Sequence, residues 1–115
     1  MKFVRHMADA LWHEDGLVFS LEECETLAAN YVAVSAGTHT HEEAHPDEEE
    51  IYVILTGTGE AVLNGEAHPV AAGDAVYIPR NAYHYVRGGA SGLTYLCVAN
   101  WPDKKNGPSE EEPDW

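Results

Sequence analysis

Apolar residues along this chain fall in short runs, each of which stops at glycine, proline or asparagine. Ile51-Tyr-Val-Ile-Leu55 is β-branched and aromatic and runs into Gly57-Thr-Gly59. Glu60-Ala-Val-Leu63 and Glu66-Ala-His-Pro-Val70 flank Asn64-Gly65, the strongest short-range signal for a two-residue β-hairpin. Ala75-Val-Tyr-Ile78 lies between Gly73-Asp74 and Pro79, and Leu93-Thr-Tyr-Leu-Cys-Val98 follows Gly88-Gly89 and Gly92. Leu17-Val-Phe-Ser-Leu21 and Asn30-Tyr-Val-Ala-Val34 read as two further strands. Closely spaced strands, turn residues between them and little helical periodicity predict an all-β sandwich or barrel. Leu21 to Ala29 admits a short helix, because Glu22, Glu23 and Glu25 suit a first turn, but the fold does not require one.

Composition narrows this picture. A chain of 115 residues with 44% hydrophobic residues makes one domain with a small core, which dimerisation would enlarge. The net charge of −14, with only six Lys and Arg, excludes a nucleic-acid binder, since phosphate recognition needs clustered cations. No apolar run reaches the length of a membrane span. Met1 to Met7 has no apolar signal region, so the chain is expected to be cytoplasmic. Cys24 and Cys97 form no Cys-x-x-Cys pair and are expected to be free thiols, Cys97 buried. Residues 1–102 are predicted to form the barrel. Phe3-Val4 and Leu11-Trp12 near its start are apolar enough to add a strand to a neighbour. Residues 103–115 carry Glu110 to Asp114 and two prolines, the composition of an acidic, flexible tail.

The barrel reading gives the histidines a geometry. Successive side chains on a strand point to opposite faces, so residues of one parity share a face. His39, His41, Glu43 and His45 are all odd-numbered, and if Thr38 to His45 runs extended all four aim one way. They cannot all reach one ion, because residues four apart on a strand lie roughly 13 Å apart and a metal–ligand bond is about 2.1 Å. Neighbours two apart are the natural pair. A solvated acidic loop without any ligand is the plain alternative. His6, His13 and His68 are read as ordinary surface residues.

Gly73-Asp-Ala-Val-Tyr-Ile-Pro79-Arg-Asn-Ala-Tyr-His84, together with Glu50 followed by six residues and Gly57, resembles the two motifs of the cupin family. The resemblance covers roughly Tyr31 to Val98. The second motif departs from the pattern in having Asn81 where a glycine is usual and Gly88 where an asparagine often closes it. The resemblance implies a double-stranded β-helix, the jelly-roll barrel, holding a divalent metal. Two registers are open for the first motif. Without insertion, Gly37 plus five residues reaches Glu43, so Glu43-Ala-His45 fills the His-x-His slot with Glu in place of the first His. The metal ligands are then Glu43, His45, Glu50 and His84. In the alternative, His39-Thr-His41 is the pair and Glu42 to Asp47 forms a longer loop. The first register needs no insertion and is preferred.

Imidazoles with one or two carboxylates suit Fe, Mn, Ni or Zn, and residue types do not choose among them. Tyr52 shares the parity of Glu50 and is the tentative catalytic residue, as a donor to a bound molecule. No Ser-His-Asp or Cys-His arrangement is evident, so any chemistry has to come from the metal. The expected function is that of a small metal-binding cupin acting on a small organic molecule, as a metal-dependent dioxygenase or isomerase. A non-catalytic barrel binding a sugar-like ligand, with or without metal, is the alternative, and a scaffold subunit a weaker third. A homodimer is expected by family analogy.

Overall fold

The structure, a computed structural model, describes residues 3–6, 8 and 16–102. Its elements between residues 16 and 102 are all strands: β1 Leu17–Phe19, β2 Leu27–Val34, β3 Glu49–Leu63, β4 Glu66–Ala71, β5 Ala75–Ile78 and β6 His84–Asn100. They form a six-stranded sheet in the order β1-β2-β6-β3-β4, with β5 also paired to β3, and every pairing is antiparallel. The expected all-β fold is present. The short helix admitted at Leu21 to Ala29 is not: residues 21–26 form turns and bends, and β2 starts at Leu27. The expected acidic tail and the segment Leu11-Trp12 lie outside the described residues.

The hairpin at Asn64-Gly65 has φ of +50° and +84°, the double left-handed conformation of a two-residue type I′ turn, and joins Leu63 directly to its partner Glu66. Two glycine-rich stretches act differently from the sequence expectation. Gly57-Thr-Gly59 does not end a strand, and Gly88-Gly89 with Gly92 does not separate two. β3 and β6 run through them without a break, with register shifts between Ile54 and Thr56 and between Gly57 and Gly59. A shift of one residue moves side chains to the other face. Accordingly β6 buries even-numbered His84, Val86 and Gly88 before the glycines and odd-numbered Leu93, Tyr95, Cys97 and Ala99 after them. Gly57 shows why this belt needs glycine. Its φ is +79°, and a Cβ there would lie 2.1 Å from the Gly92 carbonyl oxygen.

Each long strand therefore serves two partners. The first half of β3 pairs with β5 and the end of β6, and the second half with β4 and the start of β6. Bent this way, the sheet wraps around one cluster of buried side chains. Tyr52, Ile54, Ile78, Val86, Leu93, Tyr95 and Cys97 belong to it, with the Tyr52 and Tyr95 rings 4.6 Å apart. Buried polar residues are more informative than buried apolar ones. The five among the described residues are Asn30, His45, Glu48, Glu50 and His84, and the last four gather where β3 and β6 begin.

Candidate metal centre

Glu50 sits near the start of β3 with Ile78 and Ala99 as cross-strand partners, and is 2% exposed. The Cys97 thiol donates to its Oε2 at 3.0 Å, and the Tyr52 hydroxyl to Oε1 at 3.4 Å. These contacts leave Glu50 little rotational freedom. Tyr52, 3% exposed and stacked on Tyr95, thereby braces a carboxylate from within the core. Burial, with the Glu50 charge next, pushes its hydroxyl well above the ordinary tyrosine range. The tentative catalytic assignment of Tyr52 thus falls on a buried side chain.

His84 opens β6. Its Nδ1 lies 2.9 Å from the Ala82 carbonyl oxygen, which can only accept, so Nδ1 carries the proton and Nε2 faces Glu50 Oε1 at 3.3 Å. Burial by itself would lower the His84 pKa. The contact with Glu50, the Ala82 carbonyl and the Glu43 charge outweigh burial and raise it.

His45 lies in the segment between β2 and β3, which is fastened to its neighbours by backbone hydrogen bonds. Glu43 and His84 exchange both, at 3.1 and 2.9 Å, and the Asn81 N–H donates to the His45 carbonyl at 2.9 Å. Asn81 holds φ of +67°, a conformation asparagine tolerates better than most residues, which explains how it stands where the resembled motif usually has glycine. The result brings one ligand atom each from His45, Glu50 and His84 within 4.8 Å of one another, all three residues buried.

Glu43 stands beside this triad. Its carboxylate is 22% exposed, with Oε1 3.6 Å from His45 Nε2. The alternative pair lies elsewhere: His39 and His41 are exposed, and the His39 ring rests 5.3 Å from that of Tyr85. His39 bridges to Arg87 and Glu43 to His84. The five residues from His39 to Glu43 thus oppose the four from His84 to Arg87, and that irregularity breaks the common face expected of the odd-numbered residues.

Glu48 was not singled out in the sequence. Its side chain is wholly buried, and its Oε1 lies 3.4 Å from His45 Nδ1. Burial, followed by the charges of Glu50, Asp47 and Glu43, pushes its carboxyl up to about 9. The signal that could have found it is the even parity it shares with Glu50 and Tyr52.

The donors fit a divalent metal. Two ligands of one ion at bonds of about 2.1 Å lie roughly 3 to 3.5 Å apart when adjacent, and Glu50 Oε1 and His84 Nε2 are 3.3 Å apart. Two imidazoles and a carboxylate leave coordination positions for other molecules. The cluster could therefore hold a metal ion.

Comparison with known proteins agrees with this geometry. The family model described as Cupin domain matches residues 30–98. The chain belongs to the cupin family. A curated relative, the uncharacterized protein MJ1618 of Methanocaldococcus jannaschii, is 37% identical over 79 residues, 68% of this chain and 62% of that protein. The chain thus aligns with about three-fifths of the length of that relative. A cupin protein from Bacteroides fragilis superposes with a TM-score of 0.69 over 98% of this chain and 92% of its own, at 22% identity, and so speaks to the fold alone. The DMSP lyase DddQ of Ruegeria pomeroyi superposes with a TM-score of 0.63 at 30% identity, over 69% of this chain and 40% of that one. Among the described residues no helix is long and apolar enough to cross a membrane.

Proposed function

We propose that this cupin is a metal-dependent enzyme that moves a proton on a small organic molecule bearing a carbonyl or carboxylate group, in an isomerisation or elimination. The observation that carries this reading is a buried His45–Glu50–His84 triad with a partly exposed carboxylate, Glu43, 3.6 Å from one of its imidazoles. His45, Glu50 and His84 would hold Fe, Mn, Ni or Zn, and the ion, when bound, supplies an electrophile that polarises the substrate oxygen. Glu43 is the general base or acid. It is accessible enough to meet a substrate, where Glu48, Tyr52 and Cys97 are buried. Similarity to a protein described as a DMSP lyase supports proton-transfer chemistry over oxygenation.

The test is exchange of carbon-bound hydrogen in deuterated water, using Mn(II)-loaded protein and a set of small oxo acids. Expected is exchange on at least one of them that chelation abolishes and Glu43→Gln reduces by about 100-fold, a typical loss for a missing general base. Metal binding without exchange on any of them would make the chain a binding barrel instead. We propose in addition that the chain works as a homodimer, supported by large apolar side chains on the outer face of the sheet: Ile51 and its cross-strand partner Tyr77 are 49% and 57% exposed.

A further inference from the structure

A fully buried carboxyl is costly unless something answers it. The Glu48 side chain is 0% exposed, and neither of its oxygens has a hydrogen-bond partner of good geometry. It shares the inward parity of Glu50 and Tyr52 on the approach to β3, yet it is not in the group whose ligand atoms converge. What Oε1 does meet is His45 Nδ1, at 3.4 Å. The other ring nitrogen, Nε2, lies on the side of Glu43.

We propose that Glu48 is a positioning residue for the metal ligand His45: its carboxyl oxygen accepts from Nδ1–H, fixes the imidazole tautomer and turns Nε2 toward the ion. This rests on the metal reading given above. His84 supplies the precedent within the same site, since its Nδ1 is held by the Ala82 carbonyl and its Nε2 faces Glu50. Two imidazoles would then be oriented alike, one by a backbone carbonyl and one by a buried carboxyl. The carbonyl oxygen of a carboxyl accepts whether or not the group is ionised, so the role does not depend on its charge. Such outer partners of ligating histidines typically matter 10- to 100-fold in metal affinity.

The experiment reads imidazole nitrogen shifts by NMR and Zn(II) affinity by competition with a chelating dye, on wild type, Glu48→Gln and Glu48→Met. Wild type is expected to show His45 protonated at Nδ1, with and without Zn(II). Glu48→Met keeps the side-chain length but offers no oxygen. It should lose that tautomer preference and bind Zn(II) roughly 10- to 100-fold more weakly. Glu48→Gln, whose amide oxygen still accepts, should stay within about threefold of wild type. A Glu48→Met protein with an unchanged His45 tautomer and unchanged affinity overturns the assignment. Should that variant fail to fold, wild type decides alone: His45 protonated at Nε2 in the metal-free protein overturns it. If wild type binds no Zn(II), the metal reading fails, while the metal-free tautomers still decide whether Glu48 holds His45.

Discussion

His84 joins both halves of the site, since its backbone pairs with Glu43 and its ring meets Glu50. Replacing it therefore tests more than replacing any neighbour. His84→Ala and His45→Ala should each remove most bound metal, and His39→Ala should leave it in place, as read by elemental analysis of protein purified without chelators. Full retention in His84→Ala would end the metal reading. Binding needs a neutral imidazole, and the His84 pKa is raised above its ordinary value, so occupancy at limiting metal should fall as pH is lowered, beginning above the ordinary histidine range. Glu48 makes the opposite demand on the metal-free fold. Its carboxyl titrates near 9 when folded against 4.5 for the free group, so below 4.5 it is protonated in both states and the fold loses nothing. Between those values the unfolded chain releases a proton that the fold keeps, and stability must fall as pH rises. Thermal melts in EDTA from pH 5 to 9 should show that decline, and Glu48→Gln should flatten it. An equal slope in both proteins would contradict the burial argument. Glu50 and His84 were legible from motif spacing alone. Glu48 was hidden because Glu48-Glu49-Glu50 reads as a solvated acidic run, although alternation sends only the middle residue outward. His39 and His41 share the odd parity of Glu43, but parity predicts a common face only along a regular ladder, and an irregularity separates them from Glu43.

Strands were legible wherever a turn residue ended an apolar run. Asn64-Gly65 was the clearest case, because only a left-handed pair fits a two-residue turn. Glycine inside a long strand was not legible. A glycine that bends a strand and one that ends it leave the same gap in the apolar pattern, and only the partner strand tells them apart. Gly57 is such a bend. Gly57→Ala would combine a left-handed backbone with a Cβ 2.1 Å from the Gly92 carbonyl oxygen, and should destabilise the fold by at least about 2 kcal/mol. Calorimetry would show this as a melting point roughly 10 °C lower. Gly65→Ala meets no atom within 4 Å and carries only the left-handed conformation, so it should cost less. Equal losses at the two positions would mean that close approach across the β3–β6 bend is not what requires glycine.

At the scale of the whole molecule, charge and apolar surface pull in opposite directions. Residues directly opposite each other in antiparallel strands share a face. Ile51, Tyr77 and Val98 are therefore neighbours on the outside of the sheet, and Leu27, 47% exposed, lies two residues from Ala29 in the same row. The face is apolar at its middle and tied at its edge by the Tyr77 hydroxyl donating to Glu49 at 2.7 Å. A second copy brings an equal apolar face, but it also brings another net charge of −14. Burial of apolar surface is insensitive to moderate salt, whereas repulsion between exposed charges is screened within about 8 Å at physiological ionic strength. Dimerisation through this face should therefore tighten as salt rises from 20 to about 300 mM, opposite to an interface built on ion pairs. Sedimentation velocity at micromolar protein should find a dimer at the higher salt. Ile51→Asp, which places a further carboxylate at the middle of the face without touching the buried triad, should shift it to monomer with bound metal retained. A wild-type monomer at every salt concentration would mean that this face serves another partner or none.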